Sequence, residues 1–297
     1  MMMDGPDALS AALRAVSFTL LLNAAGIPIF LAAFGRLMPR SLPDVRKLGW
    51  ALAISAMVFV AAHQALEAAR MAGEMNGVLD PAMQKMALES RAGAAFAARM
   101  VGLALVAIGL RRYAAGSANA AGSTVAALLG TLLTIISFTL QGHTTTTPHR
   151  AAAAALVLLH LLVVAFWLGA LWPLYMAAKK EPPAIAARVI DRFSSTAAWL
   201  VPLILLAGIG LAAILLPSLD TFRQAYGQLL LVKVAGFAVL MAMAALNKWS
   251  FGPACAAGNT AAFERTVIVE FILISVVLTA TAIMTMFYSP DAAPGAA

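Results

Sequence analysis

Four histidines, His63, His143, His149 and His160, are the residues of this chain best equipped to do chemistry, and all four fall in or beside apolar stretches. A neutral imidazole offers one nitrogen lone pair, and several of them close together can hold a metal ion or ligate a haem. His160 carries the argument furthest, because it is flanked by Leu156-Val157-Leu158-Leu159 and Leu161-Leu162-Val163-Val164. An imidazole so placed must face the interior of a helix bundle, where it needs a hydrogen-bond partner or a metal. His143 closes an apolar stretch in Gln141-Gly142-His143, and His63 lies towards the end of another. His149, between Pro148 and Arg150 in the run TTTTPHR, reads as solvated loop.

Soft ligands are also plentiful, with 15 methionines in the chain. Met241-x-Met243 and Met284-x-Met286 have the look of copper-binding pairs, but residues two apart on a helix point about 200° away from one another. At most one of each pair can face a given site, and Met243 and Met284 are the expected members. Met71, Met75, Met83 and Met86 fall in a mixed-charge segment that reads as the apolar face of a short surface helix. The single cysteine, Cys255, is expected in a loop and has no partner for an intramolecular disulfide. Arg99 and Lys233 lie inside apolar stretches and would repel a cation; they read as snorkelling side chains, or as anchors for a headgroup, a quinone or a haem propionate. Glu270 reads as one half of a structural bridge to Arg265 or Lys248, with proton acceptance as the alternative.

The elements that must position these residues are membrane-spanning helices. Hydrophobic residues make up 62% of the 297, charged residues 11%, and mean hydropathy is +0.90, which no soluble domain of this size could bury. A span of a hydrocarbon core needs about 20 apolar residues. Eight stretches qualify, at roughly 10–35, 46–67, 94–112, 122–142, 151–177, 195–217, 227–247 and 265–288. The expected fold is therefore an all-α bundle of eight transmembrane helices, with residues 1–297 forming a single transmembrane domain.

The net charge of +7 would raise the question of nucleic acid in a soluble chain. Here it is distributed by loop: Arg36, Arg40, Arg46 and Lys47, then Arg111 and Arg112, then Lys179, Lys180, Arg188 and Arg192, then Lys248. Alternate loops are neutral or nearly so, which places the basic ones in the cytoplasm and both termini in the periplasm. No nucleic-acid partner is expected; lipid is. The opening residues MMMDGPD lack the basic start of a signal peptide, so the first helix reads as a retained span. On this topology all four histidines belong to the outer leaflet or its margin.

From residue 141 to 288 the chain resembles the copper-resistance D (CopD) family of bacterial inner-membrane proteins. The resemblance rests on Gly142-His143, on His160, Trp167, Gly169 and Leu171 in the spacing H-x6-W-x-G-x-L, and on Tyr226-Gly227 with LLLVK ending at Lys233. It continues through Asn247, Arg265 and Val269-Glu270. One departure is Ala170, where many members carry a second glycine; alanine still permits close helix approach. The resemblance implies copper handling at the inner membrane, most often described as import towards the cytoplasm, with a separate periplasmic copper-binding protein of the CopC type as partner. His63, His143 and His160 with Met243 and Met284 are then the expected copper ligands, the imidazoles meeting copper on the oxidising side and the thioethers lying deeper. A transporter rather than an enzyme is the favoured class.

Two other readings stay open. His63, His143 and His160 could supply an axial pair for a b-type haem, with Arg99 or Lys233 on its propionates, making the protein a membrane cytochrome. The protein could also bind copper as a receptor without moving it.

Overall fold

A hydrocarbon core offers no water to satisfy peptide groups, so an apolar chain closes its backbone hydrogen bonds within helices. The structure is a computed structural model, and it describes residues 5–112, 120–142, 147–216 and 218–288. Among these residues there are helices and no strand. In order they are α1 (Gly5–Phe34), α2 (Leu42–Ala72), α3 (Pro81–Glu89), α4 (Arg91–Arg112), α5 (Ala120–Ile136), α6 (Arg150–Lys180), α7 (Pro183–Leu200), α8 (Pro202–Leu215), α9 (Ala225–Leu246), α10 (Gly252–Ala256) and α11 (Ala261–Phe287). They make eight stretches long and apolar enough to cross a membrane, α7 with α8 forming the sixth and α9 running on into α10 as the seventh. The expected all-α bundle of eight spans is the observed fold.

Local chemistry sets the ends. Pro43, Pro81, Pro183, Pro202 and Pro253 each stand in the first turn of a helix, where a missing N–H is harmless. Asp80 caps α3 by accepting from the N–H groups of Ala82 at 2.8 Å and Met83 at 3.4 Å. Gly73, at φ 74°, ends α2 in the left-handed conformation that glycine adopts without strain.

The spans differ from expectation where charge was read as loop. Arg188, Asp191 and Arg192 lie on the exposed side of α7, whose other side buries Ala186, Val189, Ile190 and Phe193. The sixth span therefore starts at Pro183 rather than near 195. The second extends to Ala72, so His63 lies nine residues, roughly 13 Å, from its end. The seventh continues past 247, so Cys255 is not in a loop: it is fully buried in α10, its Sγ 3.3 Å from the Phe251 carbonyl. The segment after α2 does hold a short surface helix, α3. Its buried residue is Ala87, however, while Met71, Met75 and Met86 remain about half exposed.

The core sits around α1. It packs against α2, α4, α5, α6 and α11, and 67% of its most apolar window is buried against 11% for α9, so α1 is central and α9 peripheral. At the basic end of the bundle, Lys180 pairs with Asp44 at 2.7 Å and Lys179 with Glu264 at 3.7 Å. Glu181 Oε1 there accepts from the Ser41 N–H at 2.7 Å and its hydroxyl at 2.9 Å. At the opposite end Arg70 joins Asp7 at 3.1 Å. These contacts put the starts of α2 and α11 level with the finish of α6, as an up-and-down bundle requires.

Candidate functional site

One face of α6 carries the most informative residues. His160 is ten residues into the helix, and its Nδ1 lies 3.0 Å from the carbonyl oxygen of Ile204 in α8. A carbonyl only accepts, so Nδ1 holds the proton and donates it. Nε2 then carries the free lone pair, the arrangement of a histidine oriented to ligate a metal. Lys233 of α9 is the charged side chain acting on this imidazole. Seven residues further on, on the same face and roughly 10 Å deeper, stands Trp167. Its ring meets Phe237 of α9 edge-on at 6.5 Å between centroids.

Trp167 leads to a buried carboxylate. Its Nε1–H donates to Glu270 Oε2 at 3.2 Å, and the Asn247 amide donates to Glu270 Oε1 at 2.6 Å. The Thr266 hydroxyl donates to Asn247 Oδ1 at 2.5 Å, which turns the amide's N–H towards Glu270. Asn247 opens a π-helical turn, Asn247–Phe251, a widened turn of the kind that recurs at functional positions. Glu270 is 2% exposed, and its partners are neutral donors. The expected bridge to Arg265 or Lys248 is not formed: among the described residues neither lies within ion-pair distance of Glu270. The family-motif residues Trp167, Asn247 and Glu270, drawn from three different spans, thus meet at one point. Gly169 does different work, packing against the backbone of Gly26 in α1.

His63 belongs to another neighbourhood. It is buried, its Nε2 is 3.8 Å from Glu67 Oε1 and makes no hydrogen bond, and the cations acting on it are Arg14, Arg70 and Arg99. Arg70 takes both nearby acids, Asp7 at 3.1 Å and Glu67 at 3.3 Å. Arg99 neither snorkels to lipid nor stands free; it donates to the Ser137 hydroxyl at 3.1 Å and lies 4.9 Å over the Phe138 ring. Arg14 lies 5.4 Å over Phe18, which packs on Phe138. The sequence reading passed over Arg14, although a lone arginine in the first apolar stretch is itself a signal of buried polar structure. Ser137, Thr266 and Phe138 carried no comparable signal.

The remaining expected residues are spread out. His143 lies outside the described residues. His149 is exposed at the start of α6. Met284 is buried in α11, while on α9 it is Met241 that packs against the core and Met243 lies on the other side of the helix. Among the described residues no three of His, Cys, Asp and Glu gather as a metal cage. His160 and Glu270 therefore stand apart, each with its own hydrogen-bond partners, rather than in a shared cage.

Two family models match the chain. Residues 2–149 match the one described as Copper resistance protein D-like, N-terminal domain, and residues 187–284 match the one described as Copper resistance protein D. Lys233, Asn247, Arg265 and Glu270 fall within the second match, whereas His160, Trp167 and Gly169 lie between the two. No curated protein and no solved structure matches the chain.

Proposed function

The chain belongs to the copper resistance D family of multi-pass membrane proteins, which places it in copper handling, and we propose that it imports copper from the periplasm to the cytoplasm along the α6 wall described above. The observation that carries this reading is the 3.0 Å contact between His160 Nδ1 and the Ile204 carbonyl oxygen. With Nδ1–H held by the Ile204 carbonyl, Nε2 presents its lone pair about 15 Å from the outer end of α6. Imidazole nitrogen is a ligand for both copper oxidation states, and thioethers such as Met241 and Met284 suit Cu(I) on either side of it. Glu270 then offers the cation a carboxylate closer to the cytoplasm. In this reading a separate periplasmic copper-binding protein delivers the metal, His63 and His143 act as ligands nearer the periplasmic face, and His149 takes no part. The bis-histidine haem reading is not taken further, because His160 on α6 beside α8 and His63 on α2 among Arg14, Arg70 and Arg99 belong to separate neighbourhoods.

The test separates a ligand from a packing residue. His160→Asn keeps an N–H near the position of Nδ1 and can still donate to Ile204, but it has no counterpart of Nε2. Copper uptake into proteoliposomes is expected to fall by roughly tenfold or more in His160→Asn and in His160→Ala, the scale of a lost metal contact. His149→Ala should leave uptake near wild type. Unchanged uptake in His160→Asn, or equal losses at both positions, refutes the proposed role.

A further inference from the structure

We propose that Met71, Met75 and Met86 form an outer capture site for Cu(I), a soft monovalent cation, ahead of the α6 wall. Methionine in a bundle ordinarily packs, and most of it here does: Met38 and Met284 are buried, while Met57, Met100, Met176 and Met241 lie against the core. Among the described residues the exposed methionines are Met71, Met75 and Met86, each about half exposed. All three come from residues 71–86, so the exposure belongs to this segment and not to methionine throughout the chain.

The segment is a compact unit. Met71 stands in the last turn of α2, Met75 opens the 3₁₀ turn Met75–Leu79, and Met86 lies on α3. The turn is pressed onto α2 at Gly77, where an added Cβ would fall 2.6 Å from the Ala72 Cβ and 2.9 Å from the Ala68 carbonyl oxygen. Gln84 fastens α3 to both, its Nε2 donating to the Ala65 carbonyl at 3.1 Å and to the Val78 carbonyl at 2.8 Å. Gln64 of α2 donates in turn to the Ala87 carbonyl at 3.3 Å. Gly77 and Ala87 are the buried residues of this unit, and the three thioethers stay on its outside.

Copper chemistry gives that exposure a use. A thioether carries no charge, yet it is a soft ligand that selects Cu(I) over hard cations. Its rotatable bonds let each sulfur swing towards a shared ion while the backbone stays fixed. Attachment to lipid would not need sulfur, since Leu79 and Leu88 of the same segment are also exposed and supply apolar surface. The unit lies where α2 finishes and α6 begins, the end at which the proposed route starts. The inference rests on the import reading and adds to it a first station, where copper is gathered before it reaches His160.

The experiment follows isotopically labelled methionine methyl groups of the full chain by NMR in detergent while Ag(I), a diamagnetic stand-in for Cu(I), is titrated in. The signals of Met71, Met75 and Met86, assigned by single leucine substitutions, are expected to shift together and saturate, while Met57 stays in place. Leucine keeps the apolar surface and removes the sulfur, so Met71→Leu with Met75→Leu and Met86→Leu should melt like the wild type by circular dichroism. In proteoliposomes this triple variant is expected to raise the copper concentration for half-maximal uptake by roughly tenfold, the scale of a lost metal contact, with the maximal rate unchanged. Met57→Leu should change neither. Methyl signals that do not move or do not saturate, a triple variant with wild-type half-saturation, or a loss confined to the maximal rate each overturns the proposal. Failure of the import reading looks different: if His160→Asn transports like the wild type while the three methyl groups still respond to Ag(I), the capture site stands and the α6 route falls.

Discussion

Glu270 and His63 meet the same difficulty, a polar group buried in a membrane bundle, in opposite ways. Glu270 has a donor on each carboxylate oxygen, whereas His63 leaves Nε2 without one. A buried donor that loses its acceptor bears the full desolvation penalty, so Glu270→Ala, which strands the Trp167 and Asn247 donors together, is expected to destabilise the protein by about 1–3 kcal/mol. Glu270→Gln keeps an oxygen for Asn247 but turns a donor towards Trp167, and should lose about half as much. Denaturant titration in micelles checks this, and equal stability of the two variants would contradict the hydrogen-bond pattern. That His160 needs a partner is legible in the sequence, because an imidazole within an unbroken apolar run must be satisfied by something. Which partner is not legible: Ile204 lies 44 residues away, and Trp167 is 103 residues from Glu270. Pairings at such separations are fixed by helix packing, which local pattern does not encode.

Between elements, the decisive contact is the crossing of α1 and α6. A Cβ at Gly26 would fall 1.8 Å from the Ala165 carbonyl oxygen and 2.8 Å from the Gly169 Cα, so the two backbones touch only because both positions are glycine. Since the opposing atoms are backbone, no rotamer change can relieve a methyl there. Gly26→Ala is expected to part the helices and lower stability by about 1–3 kcal/mol, an overpacking penalty, while Gly122→Ala, with open space at its Cβ, should be neutral. Thermal unfolding of the two variants in one detergent decides it; a neutral Gly26→Ala would mean that the crossing is looser than these distances. Ala170, where many family members have glycine, is fully buried beside this contact, so a single methyl is accommodated there. The spans themselves were readable from hydropathy, because each needs only length and apolarity. What escaped was α7, whose charges sit on an exposed face: hydropathy averages round a helix and so mistakes an amphipathic start for a loop.

For the whole molecule, orientation decides which end of the proposed copper route faces the periplasm. An even number of spans puts both chain ends on one side, and the basic loops argue that this side is the periplasm. Cys255 is the only cysteine and is buried, so Cys255→Ser supplies a background in which the serine hydroxyl can still donate to the Phe251 carbonyl. On that background Asn76→Cys and Asn259→Cys place one exposed thiol at each end of the bundle. A membrane-impermeant maleimide applied to intact spheroplasts is expected to label Asn76→Cys at once and Asn259→Cys only after permeabilisation. The reverse pattern would put the His149 end of α6 in the cytoplasm. His160 would then lie about 15 Å from the cytoplasmic end of α6 and roughly 30 Å from the other, and Glu270 would be met first by copper arriving from outside. The labelling pattern therefore decides which of the two residues periplasmic copper would meet first, His160 or Glu270.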